Sequence, residues 1–232
     1  MKRLALWTLL LTFAVSFPIR AATYVAQSIQ GVVEVRHGVE ENWAPLKEGD
    51  LLKPEDSIRT GQASSAVILM DGRRKIHVPS MAIVEVLDLR PLDQQDFLLR
   101  LTMEFIREIP PDGRDGGLET PSTTILHGPD LSKPNALPVE TESGVMSMRG
   151  TRVLYDNAFY ATCVLRAKEI FRIYPDLANK FANRMLVAIS LEEVGLHREA
   201  LNEYRAMSDD SLSPQERAEV EKSIARLKEI VK

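Results

Sequence analysis

The chain has 232 residues, 29 Lys and Arg against 33 Asp and Glu, and a formal net charge of −4. That mild acidity excludes the basic face that nucleic-acid binding requires and chiefly favours solubility. One cysteine, Cys163, excludes an internal disulfide; beside Ala161, Val164 and Leu165 it reads as a small buried hydrophobe. The chain opens with Lys2 and Arg3, then an apolar run at residues 4–17, Pro18 and small residues. This is the pattern of a secretory leader, expected to be cleaved after Ala21 or Ala22, and the run is too short to span a bilayer. The expected compartment is the periplasm. No second apolar run follows, so no membrane span is expected in the mature chain.

From residue 23 to 86 the apolar pattern has period two in short pieces. Residues 31–36 read as a strand with Val33 and Val35 on one face, and Trp43, Leu46, Leu51 and Leu52 are apolar points in a turn-rich stretch. Residues 65–70 read as a strong strand, Asp71 and Gly72 as a tight reversal, and residues 75–78 as the returning strand. Pro79 and Ser80 turn the chain into a further strand at 81–87. Short strands at this regular spacing indicate an all-β unit. Residues 97–109 alternate through Phe97, Leu99, Leu101, Met103 and Phe105 and are read as another strand, although Leu98, Leu101 and Phe105 also fit helical spacing. Residues 110–142 hold six prolines and paired glycines and read as an irregular connection, with one strand at 123–127. Residues 144–155 return to short β segments.

From Asp156 onward the period becomes helical. Val164, Ala167, Phe171 and Tyr174 form one stripe, and Phe181, Met185 and Ile189 a second. Ala200, Leu201 and Tyr204 form a third, and Val220, Ile224, Leu227 and Val231 a fourth. Gly195 separates the second and third, and Ser213-Pro214-Gln215-Glu216 is a capping box with proline at the first helical position. The expected class is therefore α+β. It comprises a leader at 1–22, a β domain at 23–155 with its loop at 110–142, and a region of helical hairpins at 156–232.

Two resemblances follow from these residues. Gly49-Asp50, residues 58–61 ending in Thr60-Gly61, the strand led by Ser64, the Asp71-Gly72 hairpin and the closing Arg149-Gly150-Thr151 resemble, in order, the FecR-type domain of bacterial envelope proteins. The resemblance implies a short β-solenoid or roll, with those pairs as structural turns. The family's further strands after Arg-Gly-Thr are missing here. Only three residues precede the apolar run, so the family's anti-sigma role is not carried over. Ala167, Phe171, Tyr174-Pro175-Asp176, Ala182, Gly195, Glu199-Ala200-Leu201 and Tyr204 resemble tetratricopeptide repeats. Two repeats are fewer than usually stand alone, which implies packing onto the β domain.

No catalytic group, cofactor or metal is implied. His37, His77, His127 and His197 are not at metal-ligand spacing, and no glycine elbow or phosphate loop occurs. Residues 112–117 lack the ligand spacing of a calcium loop. Arg73, Arg74 and Lys75 form a cationic hairpin tip, solvated or in contact with an anionic glycan or headgroup. Arg149 is expected to tie strand-end carbonyls together, with Gly150 allowing close backbone approach. Phe159, Tyr160 and Tyr204 are candidate partner contacts, weighed against a plain core role.

The reading is a non-enzymatic periplasmic binding or assembly protein with an envelope protein as partner. The alternatives are a signal-sensing subunit and a cell-wall module that binds peptidoglycan or another glycan. Fractionation of expressing cells is expected to find a shortened chain in the periplasm; full-length protein in the cytoplasm would contradict export.

Overall fold

The computed structural model describes residues 22–40, 42–108, 142–207 and 212–232. All but the last residue of the expected leader, most of the proline-rich connection with its strand at 123–127, and His127 lie outside them. The fold is mixed α+β. Eight short strands come first: β1 (Tyr24–Gln30), β2 (Val33–Arg36), β3 (Ala44–Pro45), β4 (Leu51–Leu52), β5 (Ser57–Thr60), β6 (Ser65–Met70), β7 (Arg74–Val78) and β8 (Ile83–Glu85). They make two four-stranded sheets, ordered β4-β1-β6-β7 and β3-β2-β5-β8. Every pairing is antiparallel, so the parallel coil-on-coil stacking of a solenoid is absent among the described residues.

Alternation does what it was expected to do in these strands. Ala66, Ile68 and Met70 of β6, Ile76 and Val78 of β7, and Val33 and Val35 of β2 are all buried. The β6–β7 reversal places Asp71 at φ 52° and Gly72 at φ 67°. Two successive positive φ values define the tight turn whose twist matches a hairpin.

The chain passes between sheets at residues 31–32, 61–64 and 79–82, and these crossings lie against one another. Gly61 N–H donates to Val32 O at 2.8 Å. Ser64 Oγ accepts from Val32 N–H at 2.9 Å and donates to Gln62 O at 3.0 Å. Thr60 Oγ1 donates to Pro79 O at 2.6 Å and accepts from Ala82 N–H at 3.0 Å. Buried backbone groups at sheet corners lose their ladder partners, and these two hydroxyls supply replacements. Thr60 and Gly61 thus stand at a corner, as expected. At two other crossings, Asp50 accepts from Lys47 N–H at 2.9 Å and Asp56 from Lys53 N–H at 2.8 Å.

After a 3-10 turn (Val86–Asp88) come, among the described residues, seven helices: α1 (Gln94–Glu108), α2 (Glu142–Asp156), α3 (Tyr160–Ile173), α4 (Pro175–Ala178), α5 (Phe181–Glu193), α6 (His197–Ala206) and α7 (Pro214–Ile230). Two expectations are corrected here. Of residues 97–109, read as a strand, 97–108 belong to α1. Phe97 and Leu101 are buried at helical spacing, while Leu99 and Met103 remain 58% and 49% exposed. Exposed leucine and methionine on a helix produced the false period of two.

Residues 144–155, also read as β, form α2. Gly144, Met146, Met148 and Gly150 alternate in burial because α2 is packed on two sides. Met146 and Gly150 meet the β unit, whereas Gly144 and Met148 meet the helical side. A helix buried on opposite faces mimics a strand in sequence.

Arg149-Gly150-Thr151 consequently lies within a helix and is not a turn. Arg149 is exposed and ties no strand ends. Gly150 does provide the close approach expected of it, because a Cβ there would fall 1.7 Å from Ile83 O. That contact sets α2 along β8, the edge strand of its sheet, so a helix covers an edge that would otherwise invite pairing.

The helical hairpins begin at α2. Just past α2, Ala158 sits at φ 55°, Phe159 N–H donates to Leu154 O and Ala158 N–H to Tyr155 O. Just past α5, Gly195 sits at φ 80°, Leu196 N–H donates to Leu191 O and Gly195 N–H to Glu192 O. Both helices therefore end in the same paired C-terminal motif with a left-handed residue. An apolar residue follows each, and then the next helix begins. Along the chain α2 packs on α3, α3 on α5, α5 on α6 and α6 on α7. The Ser213–Glu216 capping box opens α7 as expected.

Two glycine–alanine exchanges should act in opposite directions. Gly150→Ala should cost about 3 kcal/mol or more, the upper range for inserting atoms into a packed interior. Ala158→Gly should add roughly 0.5–1 kcal/mol, the strain of a left-handed alanine less the extra freedom of the unfolded chain. Urea unfolding of both variants measures this, and a neutral Gly150→Ala would contradict the contact.

Candidate functional site

The junction between the β unit and the helices holds a continuous polar network on the outward face of β2, β5 and β8. Residues there alternate with the core-facing valines, so charged side chains emerge on one side by register. Glu34 accepts from Arg59 at 2.6 and 3.0 Å. Arg36 donates to Ser57 Oγ at 3.0 Å, and Ser57 donates to Glu85 at 2.5 Å. From α3, Arg166 reaches Asp88 at 2.8 Å, Glu169 at 2.8 Å and Glu85 at 3.5 Å. Thr162 Oγ1 donates to Asp88 O at 3.0 Å. Burial, and after it the Glu169 carboxylate, push the Asp88 carboxyl upward to about 7, an effect that the Arg100 and Arg90 guanidiniums oppose. Burial lowers Arg166 from its usual value.

Arg166 stands between two open cavities. One, about 680 Å³, has Trp43, Arg36 and Arg59 on the β side and Ile173 and Tyr174 on the helical side. Trp43 is half-buried, with the guanidinium carbons of Arg59 and Arg36 at 4.4 and 5.2 Å from its ring centroid. Arg36 Nε has no hydrogen-bond partner among the described residues. The other cavity, about 590 Å³, has Leu87, Leu92, Leu99, Met103 and Leu165 among its walls, with acids and arginines interspersed. A third, about 230 Å³, opens between α2 and α5.

The expected contact residues divide. Phe159 and Tyr204 are 2% and 1% exposed and belong to the core, which removes them as direct contacts. Tyr204 also donates to Glu192 at 2.7 Å, and burial raises its hydroxyl above the usual range. Tyr160 is half-buried, edge-on to Tyr155 at 5.5 Å. Arg73 and Lys75 are exposed near the hairpin tip. Arg74 instead packs its guanidinium 4.3 Å from the Phe159 ring centroid and donates to Asn157 O, joining β7 to the α2–α3 turn.

Cys163 is fully buried, and burial pushes its thiol up to about 12, which makes it inert. His37 is paired with Asp56 at 3.0 Å and His77 is exposed. Among the described residues no group of three His, Cys, Asp or Glu is arranged to hold a metal, and no helix is long and apolar enough to cross a membrane. The Arg166 cluster and the Trp43 groove escaped sequence reasoning because their partners are far apart in the chain.

Comparison of the chain with protein-family models, curated proteins and solved structures finds no match.

Arg166→Met should lower stability by about 1.5–3 kcal/mol, the range for a hydrogen bond to a charged group. Adding Asp88→Asn should recover part of that loss, because one stranded carboxylate is removed. Thermal unfolding of the single and double variants tests the pairing; additive losses would contradict it.

Proposed function

We propose that this chain is a non-enzymatic, exported binding or assembly protein of the cell envelope. A FecR-like β unit is the platform, and a tetratricopeptide-like helical stack carries the protein contact. The observation that carries this reading is the repeated hairpin geometry. α2–α3 and α5–α6 turn through the same C-terminal motif and stack in chain order, leaving a cleft between the first helices of the two pairs. Stacked helical pairs of this kind present extended surfaces to peptides and proteins. The leader-like start supports export, and the ordered Thr60-Gly61, Ser64 and Asp71-Gly72 corners support the FecR likeness.

A second reading, a glycan-binding module, is favoured by the Trp43 groove. It joins an aromatic face, Tyr174, a spare Arg36 donor and carboxylates in one open cleft. The chain has two tryptophans, Trp7 and Trp43. With the leader removed, Trp43 fluorescence reports on this groove alone.

Crosslinking in intact cells with a tagged chain is expected to join it to one discrete envelope protein. Purified peptidoglycan should neither sediment the protein nor change its tryptophan emission. Sedimentation with peptidoglycan and no protein partner would overturn the first reading in favour of the second.

A further inference from the structure

The cluster that fastens α3 to the sheets is uneven in charge. Arg166 brings one guanidinium to three carboxylates, Asp88 at 2.8 Å, Glu169 at 2.8 Å and Glu85 at 3.5 Å. Each of these groups has a partner, yet the direct contacts leave negative charge in excess. Arg36 of β2 offsets part of it from 3.8 Å beyond Glu85, while donating to Ser57 as well. The side chains of Arg166, Asp88 and Glu85 are only 23%, 22% and 24% exposed, so water screens the remainder poorly. Arg90, just past the 3-10 turn, and Arg100 of α1 attract Asp88 from further away. Asp96 and Glu104 of α1 line the same cavity and bring negative charge to that side, where Arg172 lies 3.8 Å from Glu104.

We infer that this cluster is a proton-operated clasp between the β unit and the helices, tightened while Glu85, Asp88 and Glu169 hold one proton among them and loosened when that proton leaves. Its position gives the clasp its reach. Glu85 lies in β8, Asp88 in the 3-10 turn, and Arg166 and Glu169 in α3, so the shared proton acts across the junction itself. A carboxyl withdrawn from water beside another carboxylate gives up its charge readily, and groups this close titrate as a unit. The Asp88 carboxyl accordingly stands at about 7, raised first by burial and then by Glu169. Both cavities beside Arg166 take their walls from the elements that it joins, so loosening there alters both grooves. The inference goes beyond the protein-binding reading and is tested without a partner.

An unfolded chain releases an aspartate proton near pH 4, at about 3.9, whereas the folded cluster keeps one up to about 7. The advantage is complete below the unfolded value and is lost as pH rises to the folded one, so stability falls through that window and then levels. Urea unfolding of the purified chain measures this. Its unfolding constant should rise by roughly tenfold or more between pH 5.5 and pH 8.0. Asp88→Asn keeps an acceptor for Arg166 without the charge, and its unfolding constant should rise less than about threefold. Histidines titrate in the same window, and their share persists in this variant. Glu169→Gln, at a more exposed position, should move the fall toward lower pH, which keeps the test open if Asp88→Asn folds poorly.

A flat profile for the unaltered chain, or undiminished pH dependence in Asp88→Asn, would overturn the inference. So would an unmoved profile in Glu169→Gln. Amide hydrogen exchange, corrected for the intrinsic effect of pH on exchange, locates the change. β8 and α3 should lose protection between pH 6 and pH 8, while α7, which packs on α6, keeps its own. An equal loss in α7 would show a general effect of charge and refute the clasp.

Discussion

The arrangement of the molecule depends on one approach of backbone to backbone, where Gly150 of α2 lies against Ile83 O of β8. A side chain at 150 would hold the helix away from the edge strand. With glycine there, α2 covers that edge on one side and offers its other side to α3 and α5. The helical pairs thereby become part of the same hydrophobic core as the sheets, which runs without interruption from Ile58 and Ile68 to Leu191 and Leu227. Arg166 and Arg74 fasten the junction at two further points, one through carboxylates and one through the Phe159 ring. The exposed Arg74 contact is modest alone, whereas Arg166, largely withdrawn from water among its carboxylates, contributes more. Together with the Gly150 contact they fix where the helices stand on the sheets.

How much of this could be read in the sequence followed from how each element is buried. β6, β7 and their Asp71-Gly72 turn were legible because one face is buried and the turn demands positive φ. The start of α7 was legible because a capping box is local chemistry. α2 was misread because burial on both faces erases the helical period, and α1 because Leu99 and Met103 break the rule that apolar residues are inside. The left-handed end of α2 gave no signal, since alanine occupies the place that glycine fills at the end of α5. The corner roles of Thr60 and Ser64 were marked in the sequence only as turn residues. Their hydrogen-bond partners come from other crossings of the chain.

The same geometry separates two kinds of surface. Around Arg166 the charges are satisfied by one another, and the neighbouring grooves are electrically mixed. Between α2 and α5 a smaller cleft opens, where Arg152 is paired with Asp156 and Arg149 is exposed. The first kind stabilises an internal junction. The second exists only because α2 is a helix held in place by β8. Structure and proposed function therefore share one dependence. If α2 did not stay on the sheet edge, the first wall of the cleft would be lost together with the cover of the β unit.

Native-state hydrogen exchange measures that dependence most directly. Amides of β8 and α2 are predicted to exchange in one cooperative opening with the same free energy, as a single unit of structure does. Exchange of α2 at much lower free energy than β8, with β8 still protected, would show that the helix is an independent appendage and contradict the account.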